Sequence, residues 1–307
     1  MSQTVIKEKA IAYEALSTFF KGDRDKAWSI LSSLNADFSS SFASYTREFT
    51  SSFQEESEFN DIWRRTRDAF FCEKIPFSVL DEEDERVRGK MAPIHFLYTA
   101  GNRELGNEKR LVILGPPLPS LQAKSDIFDA VSLSKERGWA VVAPLDSGSG
   151  AYALQAAIKL GALPIAVLSS GISKCPSESL LELMEGVYTK GILVTQAAPC
   201  VKYEKWHVVL RNRFISSFGD GFFLSEEKNG GPSWAIFDGA REKGKRVSIS
   251  LSSANNPNYS WCGERLGEGV VPYKKAKDLI KLFPDEKTPS KTMAIPPIKP
   301  INVAKFI

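Results

Sequence analysis

Histidine is nearly absent from this chain of 307 residues: only His95 and His207 occur. With no histidine pair at ligand spacing, neither a histidine-held zinc ion nor a histidine-dependent catalytic triad is expected. Cysteine is sparse as well. Cys72, Cys175, Cys200 and Cys262 are scattered without a Cys-x-x-Cys pair, the usage of reduced thiols in a cytoplasmic protein. No apolar run reaches the length of a membrane helix. The opening residues, MSQTVIKEKA, lack the apolar centre of a secretory leader. A surplus of one charge sign is also missing, since 40 Lys and Arg against 37 Asp and Glu leave a net charge of +3. Bulk charge therefore does not hold a polyanion, and such a site must come from local clustering and backbone N–H groups. No residue set calls for a cofactor.

What is present is a globular composition, 43% hydrophobic, at a length that suits one large or two ordinary domains. Residues 1–74 read as a helical module of about four helices. Ile6, Ala10, Tyr13, Leu16 and Phe20 recur at helical spacing, Asp23 is placed to cap a second helix, Phe38–Phe53 reads as a third, and Phe59, Ile62, Trp63 and Phe70 share one face of a fourth. Residues 75–108 read as a connector with short strands, Ile75–Leu80 and Ile94–Tyr98. From about 109 to 283, apolar strands alternate with amphipathic helices. The strands are Leu111–Leu114, Trp139–Ala143, Leu163–Leu168, Ile192–Thr195, Gly221–Leu224 and Val247–Leu251. Runs that are apolar throughout are buried on both faces. The alternation predicts an α/β, Rossmann-like, doubly wound and mostly parallel sheet. Residues 284–307, with Pro289, Pro296, Pro297 and Pro300, read as an extended tail.

In such a sheet, ligands meet the loops at the carboxyl ends of the strands. Four of these loops carry glycine. Gly115-Pro116-Pro117 is either a phosphate-approach loop or a rigid turn. Asp146-Ser147-Gly148-Ser149-Gly150 opens a helix, so Gly148, Ser149 and Gly150 could offer donors to an anion or simply form a capped turn. Ser169-Ser170-Gly171 has Lys174 nearby, and Gly230-Gly231-Pro232 precedes the helix Ser233–Lys243. The adjacent Glu226 and Glu227 do not form an acid/base pair, because neighbours in sequence point to different sides.

The richest segment is His207–Gly219, HVVLRNRFISSFG. It sets Arg211, Asn212 and Arg213 at the expected start of a helix whose apolar face is Phe214, Ile215 and Phe218. Guanidinium forks match phosphate oxygens. Arginines in a first helical turn oppose the helix dipole, which calls for a ligand or a carboxylate partner. Asn212 is positioned either to cap the helix or to hold the arginines, and His207 is a further candidate. Trp206, Phe214 and Trp234 lie near these loops as core residues or as a surface for a stacked base.

Several stretches, in order, resemble the DNA-processing protein A family (DprA, also called Smf) across about 75–272. They are Ala166–Ile172 (AVLSSGI), Cys175–Ser179 (CPSES), His207–Phe218 with its Arg-Asn-Arg element, Gly230–Val247, and Cys262–Val270. The resemblance implies a non-enzymatic protein that binds single-stranded DNA in the groove at the sheet's end, forms a homodimer, and helps load a RecA-type recombinase in natural transformation. The family's Gly-Ser-Arg turn is here Gly115-Pro116-Pro117, and its Gly-x-Ala-Arg-Gly-Ile-Asp turn is Pro144–Gly150. Two expected arginines are thus missing, while the Arg-Asn-Arg element is kept. The alternatives are a nucleotide-binding or nucleotide-processing enzyme of the same Rossmann-like superfamily, or a degenerate interaction scaffold.

Overall fold

The structure, a computed structural model, describes residues 3–34, 46–71, 75–88, 95–146, 148–175, 177–199, 201–203, 205–267 and 269–284. The N-terminal segment forms α1 (Gln3–Phe19), α2 (Arg24–Ser33) and α3 (Phe53–Phe71). Asp23 caps α2 as its sequence position suggests, accepting from the Lys26 N–H at 2.9 Å. The first half of the helix expected over Phe38–Phe53 lies outside the described residues, and the second half is a short 3-10 turn and bends leading into α3 instead of a helix. The proline-rich tail also lies outside the described residues, apart from its first residue.

Next come β1 (Ser78–Asp81), β2 (Phe96–Ala100), β3 (Arg110–Leu114), α4 (Leu121–Arg137), β4 (Ala140–Pro144), α5 (Ser149–Leu160) and β5 (Leu163–Val167). They are followed by α6 (Leu181–Lys190), β6 (Ile192–Thr195), α7 (Lys205–Phe218), β7 (Gly221–Leu224), α8 (Ser233–Glu242), β8 (Arg246–Ser250) and β9 (Val271–Tyr273). Gly138 and Gly161 end α4 and α5 in the left-handed conformation, at φ 66° and 70°.

The nine strands among the described residues form one sheet in the order β1-β2-β6-β5-β4-β3-β7-β8-β9. From β6 to β9 every pairing is parallel, and only β1–β2 and β2–β6 are antiparallel. The connector read from residues 75–108 therefore supplies the edge of the same sheet. Each strand alternates sides. Leu111 and Ile113 of β3 join the core under α4, α5 and α6, whereas Val112 and Leu114 join the core under α7 and α8. A third apolar cluster fastens the N-terminal helices to the sheet edge, with Tyr13, Leu16 and Phe59 packed with Val79, Phe96 and Tyr98.

Chain order places the switch point at β3. The chain steps from β3 through β4 and β5 to β6 on one side, then restarts with β7, β8 and β9 on the other. The loops after β3 and β7 diverge there, where α/β sheets usually open a crevice. Phe222 of β7 is fully buried beside that point. Phe222→Ala is expected to cost about 3–5 kcal/mol, measured by urea unfolding.

Candidate functional site

The crevice expected at the switch point is filled by two carboxylates that follow β7. Glu226 accepts from the Ser120 N–H at 2.6 Å and the Ser120 hydroxyl at 2.7 Å, so it sits on the N-terminus of α4. Glu227 accepts from the Ser233 N–H at 3.1 Å and the Lys228 N–H at 3.0 Å, so it sits on the N-terminus of α8. Both are buried, at 4% and 1% exposure. A helix N-terminus leaves N–H groups unpaired and attracts an anion. Here the protein supplies the anions itself, and a nucleotide phosphate entering at either end would meet negative charge.

Three residues of these loops expected to offer donors, Gly231, Gly171 and Ser149, have those donors engaged within the protein. The Gly231 N–H is already bonded to Lys228 O at 2.9 Å, and the Gly171 N–H to Val201 O at 2.7 Å. Ser149 is fully buried, and both its N–H and its hydroxyl donate to Pro116 O at 3.1 Å. The carbonyl of Gly115 accepts from the Ser233 hydroxyl at 2.9 Å. A β-carbon at Gly171 would collide with the carbonyl oxygen of Pro199, so glycine is required there by the approach of another loop. Gly148, Gly150 and Gly230 form the surrounding turns, Gly148 at φ 79° and Gly230 at φ 72°.

The arginine element also sits differently from its expected place. Helix α7 begins at Lys205, six residues before Arg211, so Arg211, Asn212 and Arg213 lie within the helix, not at its start. Asn212 therefore does not cap it. Its Oδ1 accepts instead from Arg211 Nε at 3.2 Å and from Arg211 Nη2 at 3.1 Å, which holds that guanidinium in place. Residues two apart on a helix face away from each other. Arg211 is accordingly 7% exposed, while Arg213 is exposed on the α8 side; there Lys243 has its pKa lowered by its own burial, against the pull of Glu242 and with a smaller contribution from the Arg213 charge. The two arginines do not face one crevice as a pair.

Arg211 lines a small recess at the carboxyl ends of β5 and β6, together with Arg24, Ser169, Thr195, Gln196 and His207. Its free volume, about 10 Å³, has room for one water-sized atom. The carboxylate partner is Asp146, after β4, at 3.3 Å from Arg211 Nη2. Burial lowers the Arg211 pKa, and Asp146 opposes that shift. Burial likewise pushes the Asp146 carboxyl up to about 6 against the pull of Arg211, although 43% of the Asp146 side chain still meets solvent. Lys174 is exposed on the loop after β5. Next to the recess, Tyr203 and Trp206 are each 47% exposed, and Trp206 packs on His207 with ring centroids 3.8 Å apart. Phe214 and Trp234 are core residues, at 0% and 4% exposure.

Sequence reasoning missed Arg24 and Gln196. No local pattern marks Arg24, because only tertiary packing brings α2 to this rim. Asp146 was legible as the residue that opens a turn at a strand end, but its pairing with Arg211 was not. Among the described residues no group of His, Cys, Asp or Glu is placed to hold a metal ion, and no helix is long and apolar enough to cross a membrane.

Three comparisons place this architecture among known proteins. A family model described as DNA recombination-mediator protein A matches residues 84–284. DNA processing protein DprA of Bacillus subtilis (strain 168) is 25% identical over 194 residues, 63% of this chain and 65% of that protein; the match thus spans just under two thirds of the relative's length. The structure of DNA processing protein A from Streptococcus pneumoniae superposes with a TM-score of 0.68 at 16% identity, covering 93% of this chain and 99% of that one. DNA processing protein A from Helicobacter pylori, solved for its single-stranded DNA binding mode, gives 0.61 at 14% identity over 68% and 95%. At these identities the two structures show a shared fold.

Two stability measurements test the site's internal bonding. Glu226→Ala removes two charge-assisted bonds at a buried helix start and is expected to cost about 3 kcal/mol, read by urea unfolding. Asp146 titrates higher in the folded protein, at about 6, than its ordinary value of 3.8. Its contribution to stability is therefore present in full below about pH 4 and is lost as pH rises through 6. Asp146→Asn is expected to flatten the stability profile over that interval, by about 1 kcal/mol or less given solvent screening.

Proposed function

We propose, from the premise that this chain belongs to the DNA recombination-mediator protein A family, that it binds single-stranded DNA along the carboxyl rim of its sheet. The observation that carries the reading is Arg211, buried, held by Asn212 and lining a small recess, with Tyr203 and Trp206 exposed beside it. A cation next to exposed aromatic faces is what a single strand requires, the charge for its phosphates and the rings for its bases. Arg211 takes a phosphate at the recess. Lys174 on the adjoining loop and Arg213 on the outer side of α7 are assigned to neighbouring phosphates, and His207 supports the ring of Trp206. The glycine loops shape the rim but contribute few free donors.

Asp146 shares Arg211 with any incoming phosphate. Binding therefore replaces or distorts an existing ion pair, and affinity is modest at neutral pH. A nucleotide-processing reading is disfavoured by Glu226 and Glu227, which occupy the helix N-termini where nucleotide phosphates would sit. The finer proposal, that the bound strand is passed to a RecA-type recombinase by a homodimer during DNA uptake in natural transformation, rests on family membership. Sedimentation of the purified chain and co-capture with a recombinase on single strands test its two parts.

Fluorescence anisotropy with labelled oligothymidylate tests the main claim. The chain is expected to bind at low salt, with affinity falling as salt rises by a slope of about 0.7 per phosphate neutralised. Arg211→Ala is expected to weaken binding about tenfold or more, the loss of one charged hydrogen-bonding group. Asp146→Asn is expected to bind more tightly than the parent at pH 7.5, and the two curves are expected to converge below pH 5, where Asp146 is protonated. An affinity indifferent to both substitutions refutes the assignment.

A further inference from the structure

The recess that Arg211 lines is walled on one side by the N-terminal helices. Arg24, the first residue of α2, lines it together with Arg211, Ser169, Gln196 and His207. Arg24 is held there by two contacts: Glu14 of α1 lies 3.7 Å from its guanidinium, and the Tyr13 ring lies 5.8 Å away. Glu14 is in turn tied to the sheet, since it accepts from the Tyr98 hydroxyl of β2 at 3.0 Å. The position of Arg24 relative to the strand ends is thus set by a chain of contacts running from helix to sheet. Two guanidiniums from separate parts of the chain thus line one slot, each with its own carboxylate, Glu14 for Arg24 and Asp146 for Arg211.

A second, independent feature points the same way. Gln196, just after β6, is only 6% exposed, lines the recess, and its Nε2 has no hydrogen-bond partner among the described residues. A buried amide donor left unmet lowers stability, and native proteins keep few of them. The free volume of about 10 Å³ admits a single oxygen atom.

We propose that this recess is a composite phosphate seat in which one phosphate oxygen enters between Arg24 and Arg211 and accepts from Gln196 Nε2. The N-terminal module then supplies a second guanidinium to the recess at the sheet rim. Applied to a DNA backbone, the proposal rests on the single-strand reading above; applied to free phosphate, it stands on its own.

The full-length chain is tested with two probes, labelled oligothymidylate by anisotropy and inorganic phosphate by its phosphorus-31 line width. The variants are Arg24→Gln, Gln196→Leu, and Lys190→Gln, an exposed cation at the opposite rim. Arg24→Gln is expected to lower the salt slope by about 0.7, one phosphate contact on a single strand, and to abolish the phosphate broadening. Gln196→Leu is expected to weaken both ligands about fivefold while its thermal midpoint holds or rises, because an unmet donor is replaced by an apolar group. It also serves as the test if Arg24→Gln unfolds the helices. Lys190→Gln is expected to change neither ligand. If the parent binds the oligonucleotide but Arg24→Gln and Gln196→Leu behave like Lys190→Gln, the seat is refuted and the strand reading survives. If phosphate binds through Arg24 but the oligonucleotide does not bind, the seat stands and the strand reading fails. If the parent binds neither probe, both are refuted.

Discussion

Unpaired N–H groups at the start of a buried helix must be met by something, and in this protein Glu226 and Glu227 meet them. One short stretch after β7 reaches both sides of the switch point, with Glu226 on α4 and Glu227 on α8. The carboxylates satisfy orphan donors and complement two helix dipoles at once. They also decide where a ligand does not go. The crevice that sheets of this kind commonly offer to phosphates is closed by internal negative charge, and the open polar surface moves to the ends of β5 and β6.

At that second location the electrostatics are balanced rather than strongly cationic. Arg211 has Asp146 and Arg24 has Glu14, each within ion-pair distance. The surroundings are poorly solvated, so burial works against the charged form of every member: it raises Asp146 and Glu14 and lowers Arg211. Arg24 is the exception, raised because the nearby Glu14 and tyrosine groups outweigh its burial. Such pairs are stable only while both members are present. A ligand anion that offers a better geometry therefore competes with residues already in place, which makes the site responsive to pH and salt.

The N-terminal helices belong to this site. Their aromatic cluster is continuous with Phe96 and Tyr98 of β2, and β2 pairs with β6, the strand that immediately precedes Gln196. Packing that fastens the helices to the sheet edge thereby carries Arg24 to the strand ends.

Much of the fold was legible in the sequence because it depends on local rules. Apolar runs predicted β6 and β7 residue for residue. Gly138 and Gly161 marked the ends of α4 and α5, and Asp23 marked the start of α2. The Arg-Asn-Arg element was legible as a site, but its setting was not. Nothing in the sequence around Lys205 announces a helix start, so the helix was expected to begin six residues too late, and two arginines that face apart were read as a pair. Exposed glycines suggested free donors, yet the Gly171 and Gly231 N–H groups are bonded to carbonyls. By itself the sequence determined the order of strands and helices and the chemical types gathered near the rim, since propensity, periodicity and turn residues act over a few positions. Only the tertiary structure decided which cation faces which carboxylate, which donors stay free, and that Arg24 and Arg211 line one recess. Those depend on packing between segments distant in the chain, about which local spacing carries no information.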